Sequence, residues 1–101
     1  MKKDEFEIKR GVSYKLEAEV PLLPLTKSEV QFTWDGERVP EESFELIPWV
    51  DESITLVVMH FQEFTESNAG AYQVLVKRDD FTYCHEILLK MGMSLLNSLE
   101  N

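Results

Sequence analysis

Between Val12 and Val20 the apolar residues Val12, Tyr14, Leu16, Ala18 and Val20 alternate without a break with Ser13, Lys15, Glu17 and Glu19. A period of two sends successive side chains to opposite faces, so this segment fits a half-buried β-strand and does not fit the 3.6-residue period of a helix. The same alternation recurs at Val30, Phe32 and Trp34, at Val57, Met59 and Phe61, and at Tyr72, Val74 and Val76. Between these runs stand residues that end strands: Pro21 and Pro24, Asp35-Gly36, Pro40, Pro48, Gly70, and the stretch Lys77-Arg78-Asp79-Asp80. Phe6 and Ile8 predict a short first strand, Phe44 and Leu46 another, and residues 82–91 the last one. Roughly seven or eight short strands with turns about every 8–12 residues predict an all-β fold, an antiparallel sandwich of two sheets.

The length of 101 residues suits one such domain. The strand pattern places the domain at residues 1–91. Residues 92–101, with Met93, Leu95, Leu96 and Leu99 among polar neighbours, read as a C-terminal tail, with a frayed end, a short helix or a linker as the alternatives. Cys84 is the single cysteine, so no disulfide can join the two sheets within the chain. Secreted domains this small usually carry disulfides. The first residues, Met1-Lys2-Lys3-Asp4-Glu5, are not followed by the apolar run of a signal peptide. The expected location is therefore the cytoplasm, with an extracellular origin as the alternative.

The formal net charge is −9, from 19 acidic and 10 basic residues. Nucleic acids and anionic membranes are bound largely through lysine and arginine, and here the basic residues are short, scattered pairs. Neither is an expected partner. Catalytic chemistry finds no foothold either. Cys84 and His85 are adjacent on a predicted strand and so point to opposite faces, which denies them a nucleophile–base pairing. His60 alternates out of phase with Met59 and Phe61 and falls on the solvent side. The histidines and the cysteine lack zinc-site spacing, and Glu41-Glu42 and Asp51-Glu52 read as solvated loop charge without a calcium-loop pattern. The expectation is a non-enzyme with no metal and no cofactor.

Several residues fall into a spaced signature: Gly11, Tyr14, Leu16, Ala18 and Val20 on one strand; Phe32, Trp34 and Asp35-Gly36 on another; and Met59, Phe61, Phe64 and Asn68-Ala69-Gly70-Ala71-Tyr72-Gln73-Val74 further on. This pattern resembles the intermediate-set (I-set) immunoglobulin domains, with Ala18 and Val74 standing where that family carries its two cysteines. The likeness to modules of the titin, obscurin, myomesin and myosin-binding families implies an immunoglobulin-like sandwich without its intersheet bridge. It further implies a structural core of Leu16, Ala18, Trp34, Phe61, Tyr72 and Val74, with the Trp34 indole filling its centre. Such a bridge is worth roughly 2–4 kcal/mol, which packed hydrocarbon has to recover in part. By the same resemblance the function would be that of a non-catalytic spacer and protein-docking module within a larger cytoskeletal or sarcomeric protein. The alternatives are an extracellular adhesion or receptor domain, or an accessory domain of a signalling enzyme.

Trp49, beside Pro48 and outside the alternating core set, and Phe81, at the last turn, are the candidate partner-binding anchors. For each, the competing reading is a side chain folded over one end of the sandwich. The last strand is expected at a sheet edge, where another strand, and with it a homodimer, would add.

Overall fold

Each alternating segment becomes a strand in the computed structural model, which describes residues 2–92. The strands are β1 (Lys2–Lys9), β2 (Tyr14–Val20), β3 (Val30–Trp34), β4 (Glu37–Arg38), β5 (Glu45–Trp49), β6 (Ile54–Phe61), β7 (Gly70–Arg78) and β8 (Phe81–Gly92). They form a five-stranded sheet in the order β1-β8-β7-β3-β4 and a three-stranded sheet in the order β2-β6-β5. All pairings are antiparallel except β1 with β8. Among the described residues helical structure is limited to single 3-10 turns in the connections. Of the tail expected at 92–101, Gly92 ends β8 and the remainder, 93–101, lies outside the described residues.

The inner faces follow the sequence alternation. Leu16, Ala18 and Val20 from β2 meet Val30, Phe32, Tyr72, Val74, Val76, Ile87 and Leu89 from the other sheet in one buried cluster, which also takes in Phe61 and Phe64. Ala18 is 0% and Val74 1% exposed, so plain hydrocarbon occupies both positions that the resemblance assigns to cysteine. Tyr72 is buried as well, and its hydroxyl donates to the carbonyl of Asn68 at 2.5 Å. Burial, helped by the negative charge of Asp35, pushes that phenol up to about 12.

Trp34 is not the central ring. Phe32 is 1% exposed and pairs across β3–β7 with Val74, whereas Trp34 lies two residues nearer the sandwich end, opposite Tyr72, and is only half-buried. Phe32 packs edge-on against Phe44 at 5.2 Å and Tyr72 at 6.2 Å between ring centroids. The Trp34 indole instead stacks on Tyr72 and donates its Nε1–H to the carbonyl of Ala69 at 3.1 Å. A shift of two residues leaves a side chain on the same face, so alternation alone does not separate these positions. The pairing with Val74 does.

The last strand is not an edge. β8 sits between β7 and β1, and β1 runs the full eight residues from Lys2 to Lys9 along it. The sequence underestimates β1 because only Phe6 and Ile8 are apolar. Its outward row, Lys3, Glu5, Glu7 and Lys9, is charged, with Glu5 paired to Lys90 at 3.2 Å, as suits an edge strand exposed to water. A dimer through β8 is therefore ruled out by an occupied edge. The outermost strands are β1 and β4 in one sheet and β2 and β5 in the other.

The proline-containing loop between β2 and β3 is tied down by charge. Arg78 donates from Nε to Glu29 Oε2 and from Nη2 to Glu29 Oε1, both at 2.7 Å, and from Nη2 to the carbonyl of Pro24 at 2.7 Å. The guanidinium, followed by the Thr26 backbone N–H, holds the Glu29 carboxyl at about 2 against a usual 4.5. A carboxyl whose folded value is depressed stabilises the fold fully above its unfolded value and loses that contribution as pH falls through its folded value. Urea midpoints of the parent and of Glu29→Gln should therefore differ by a constant amount above about pH 4.5 and converge as pH falls toward 2. A gap that stays constant across that window would refute the role given to this pair.

Candidate functional site: the open face of the three-stranded sheet

Opposite the core, the three-stranded sheet turns a mixed face to water. Cross-strand register sets Leu56 between Glu19 and Ile47, and Val58 between Glu17 and Glu45, with Trp49 beside Ile54 at the end of the β5–β6 pair. The β5 side of this face is apolar and exposed: Ile47 is 42% and Trp49 46% exposed, and Val50 follows in the next turn at 71%. The β2 side carries carboxylates. Trp49 thus stands outside the buried core cluster, with about half of its surface open to water.

Phe81 opens β8, paired with Arg78 across the two-residue turn Asp79-Asp80. It is 37% exposed. Chain direction places it at the same end of the sandwich as Trp49 but on the other sheet, since β5 ends and β8 begins there. The two candidate anchors do not share a face.

A cleft of about 360 Å³ opens at the seam where β1, the edge of one sheet, passes β2, the edge of the other. Asp4, Glu17 and Glu19 bring three carboxylates to it against the single ammonium of Lys2, and Trp49 and Leu56 supply an apolar wall. His85 also lines it, although its side chain is only 3% exposed. His85 Nε2 lies 2.7 Å from Asp4 Oδ2, and because a carboxylate can only accept, Nε2 carries the proton. His85 Nδ1 is buried and has no hydrogen-bond partner among the described residues. Buried polar atoms are nearly always paired, so this one calls for a physical reason.

Sequence reasoning singled out Trp49 and did not bring Asp4, Glu17, Glu19 and His85 together as a group. One signal was present: Tyr83, His85, Ile87 and Leu89 share the inward register of β8, which puts a histidine in a row of core residues. Asp4 had no comparable signal, because its neighbour across the sheet follows only from the parallel β1–β8 pairing. Cys84 lies on the opposite face, where its sulfur accepts from Gln73 Nε2 at 3.2 Å, so the adjacent thiol and imidazole are separated by the sheet. His60 is exposed and bonds to the hydroxyl of Ser13 at 3.0 Å. No group of three or more His, Cys, Asp or Glu side chains among the described residues is arranged to hold a metal ion. A second hollow, beneath Trp34 and lined by Val39, Pro40, Phe61 and Tyr72, measures about 170 Å³. That is well under the roughly 300–1,000 Å³ of ligand pockets and reads as a gap left by the half-buried indole.

No protein-family model and no curated protein matches the sequence. Solved structures do match the fold. The chain is similar to titin M4, with 11% identity, a TM-score of 0.64 and 88% of each chain covered. It is similar to a chain of the titin M10–obscurin-like 1 Ig complex, with 10% identity, a TM-score of 0.56, and 89% of this chain and 86% of that one covered. It is likewise similar to the Dscam1 Ig7 domain, with 11% identity, a TM-score of 0.56 and 86% of each covered. The architecture is thus an all-β, two-sheet immunoglobulin-like sandwich without a disulfide.

Proposed function

We propose that this domain is a non-catalytic protein-interaction and spacer module of a larger cytoskeletal or sarcomeric protein, working in the cytoplasm. The observation that carries the reading is the exposed Trp49 on an open sheet face, next to free strand edges at β2 and β5. Aromatic anchors that stand in water beside other apolar side chains are the usual centres of protein interfaces. The titin M10–obscurin-like 1 complex, one of the similar structures, is itself an assembly of two proteins. A core closed by Ala18 and Val74 needs no oxidising compartment, which favours the cytoplasm. The spacer role is supported by the same core, since one continuous buried cluster running from Leu16 to Leu89 makes the sandwich a single folded unit.

The adhesion or receptor reading draws on the likeness to Dscam1 Ig7 and is weakened by the missing bridge. The test is a photo-crosslinking residue placed at position 49 and, as a control, at position 88 on the outer face of the other sheet, used in cytoskeletal extract. A discrete protein adduct specific to position 49 is expected. Equal adducts at both positions, or none at 49, would overturn the assignment.

A further inference from the structure

We infer that the seam cleft receives an arginine side chain from an extended segment of the protein partner. The inference rests on the reading of this domain as a protein-binding module and adds the chemistry of what it binds. Two features of the cleft converge on a guanidinium. The carboxylates of Asp4, Glu17 and Glu19 outnumber the ammonium of Lys2, so the cleft is short of positive charge. The Trp49 indole, 46% exposed, offers a ring face on which a planar cation stacks.

An arginine answers both at once. Its planar fork of five N–H donors reaches carboxylates in pairs, stacks on aromatic faces and is desolvated at less cost than an ammonium. A lysine satisfies the charge but neither the stacking nor the multiple acceptors. A volume of about 360 Å³ sits at the small end of ligand pockets, which fits one long side chain and excludes a folded ligand. The free outer edge of β2, which carries Glu17 and Glu19, lets the partner's backbone run alongside while its arginine turns into the cleft. The apolar residues Ile47, Leu56 and Trp49 then meet the residues that flank that arginine.

The test uses the domain itself and a short capped peptide alternating valine with arginine, followed by NMR. Expected are saturable shifts at the Trp49 indole N–H and at the backbone of Glu17 and Glu19. The Trp34 indole, bonded to Ala69, should stay in place. Glu17→Gln with Glu19→Gln should weaken binding about tenfold, and binding should weaken further between about 0.05 and 0.5 M salt. Lys2→Met should strengthen it, a gain that damage to the fold cannot imitate. The inference is overturned if a lysine-for-arginine peptide binds equally well, if shifts spread over every acidic patch, or if the Glu17/Glu19 variant binds unchanged. Crosslinking from position 49 depends on no charge in the partner. A partner captured there while the arginine peptide fails leaves the module reading standing and removes only the cleft's role.

Discussion

Phe32→Ala is expected to destabilise the domain by about 3–5 kcal/mol, the range for emptying a buried aromatic position, and by clearly more than Trp34→Ala. Phe32 is 1% exposed, faces Val74 across the sheet and meets Phe44 and Tyr72 edge-on. Its removal leaves a void at the level where the fold lacks a disulfide. Trp34 is the larger residue, and size alone would rank it first. Because it is half-buried and keeps one side to water, its truncation should cost about half as much, including the bond to Ala69. Urea denaturation of both variants gives the comparison. If Phe32→Ala does not fold, Phe32→Leu against Trp34→Leu preserves the ranking at smaller amplitude. Equal losses, or a larger loss at Trp34, would place the centre of the core at the indole.

That ranking also marks where the sequence stops being sufficient. The strands were legible because each half-buried segment alternates, and alternation is a direct consequence of strand geometry. The positions of Leu16, Ala18, Tyr72 and Val74 inside the sandwich followed from the same rule. Trp34 was misjudged because Phe32 and Trp34 share a face, and only the partner strand decides which lies at mid-height. β8 was placed at an edge because β1 has few apolar residues. Its pairing to β8 is made by backbone hydrogen bonds, which leave little trace in side-chain pattern. The seam cleft was invisible for the same reason. Asp4 and Glu17 become neighbours only once β1 and β2 are assigned to opposite sheets. Trp49 was legible as an exposed aromatic because Pro48 and the missing alternation set it apart from the core. The charge that surrounds it was not.

Gly70→Ala is expected to cost about 3 kcal/mol or more, and the size of the loss should depend on Trp34. Gly70 opens β7 with φ +147, a conformation that side-chain-bearing residues rarely adopt, and such backbone strain costs on the order of 1–3 kcal/mol. A Cβ there would also run into Nε1 of Trp34 and come within 2.8 Å of Asp35 Oδ2 and 2.9 Å of Oδ1. The indole cannot simply retreat, because it is held by Tyr72 on one side and by the Ala69 carbonyl at its nitrogen. Asp35 is held too, by the backbone N–H of Ala71 at 2.8 Å. Two effects are therefore superimposed: strain, which belongs to the glycine alone, and collision, which belongs to the pair. A double-mutant cycle separates them. In a Trp34→Ala background the penalty for Gly70→Ala should shrink by about 1 kcal/mol or more, as the collision with the ring disappears while the strain and the close approach to Asp35 remain. Strict additivity in urea denaturation would mean that the indole moves aside freely, and the packing assigned to Trp34 at the sandwich end would be wrong. A penalty that vanishes altogether would instead show that the backbone at Gly70 relaxes once the ring is gone. Either result bears on the entry to β7, where the indole stacks on Tyr72 and the Tyr72 hydroxyl bonds to the carbonyl of Asn68.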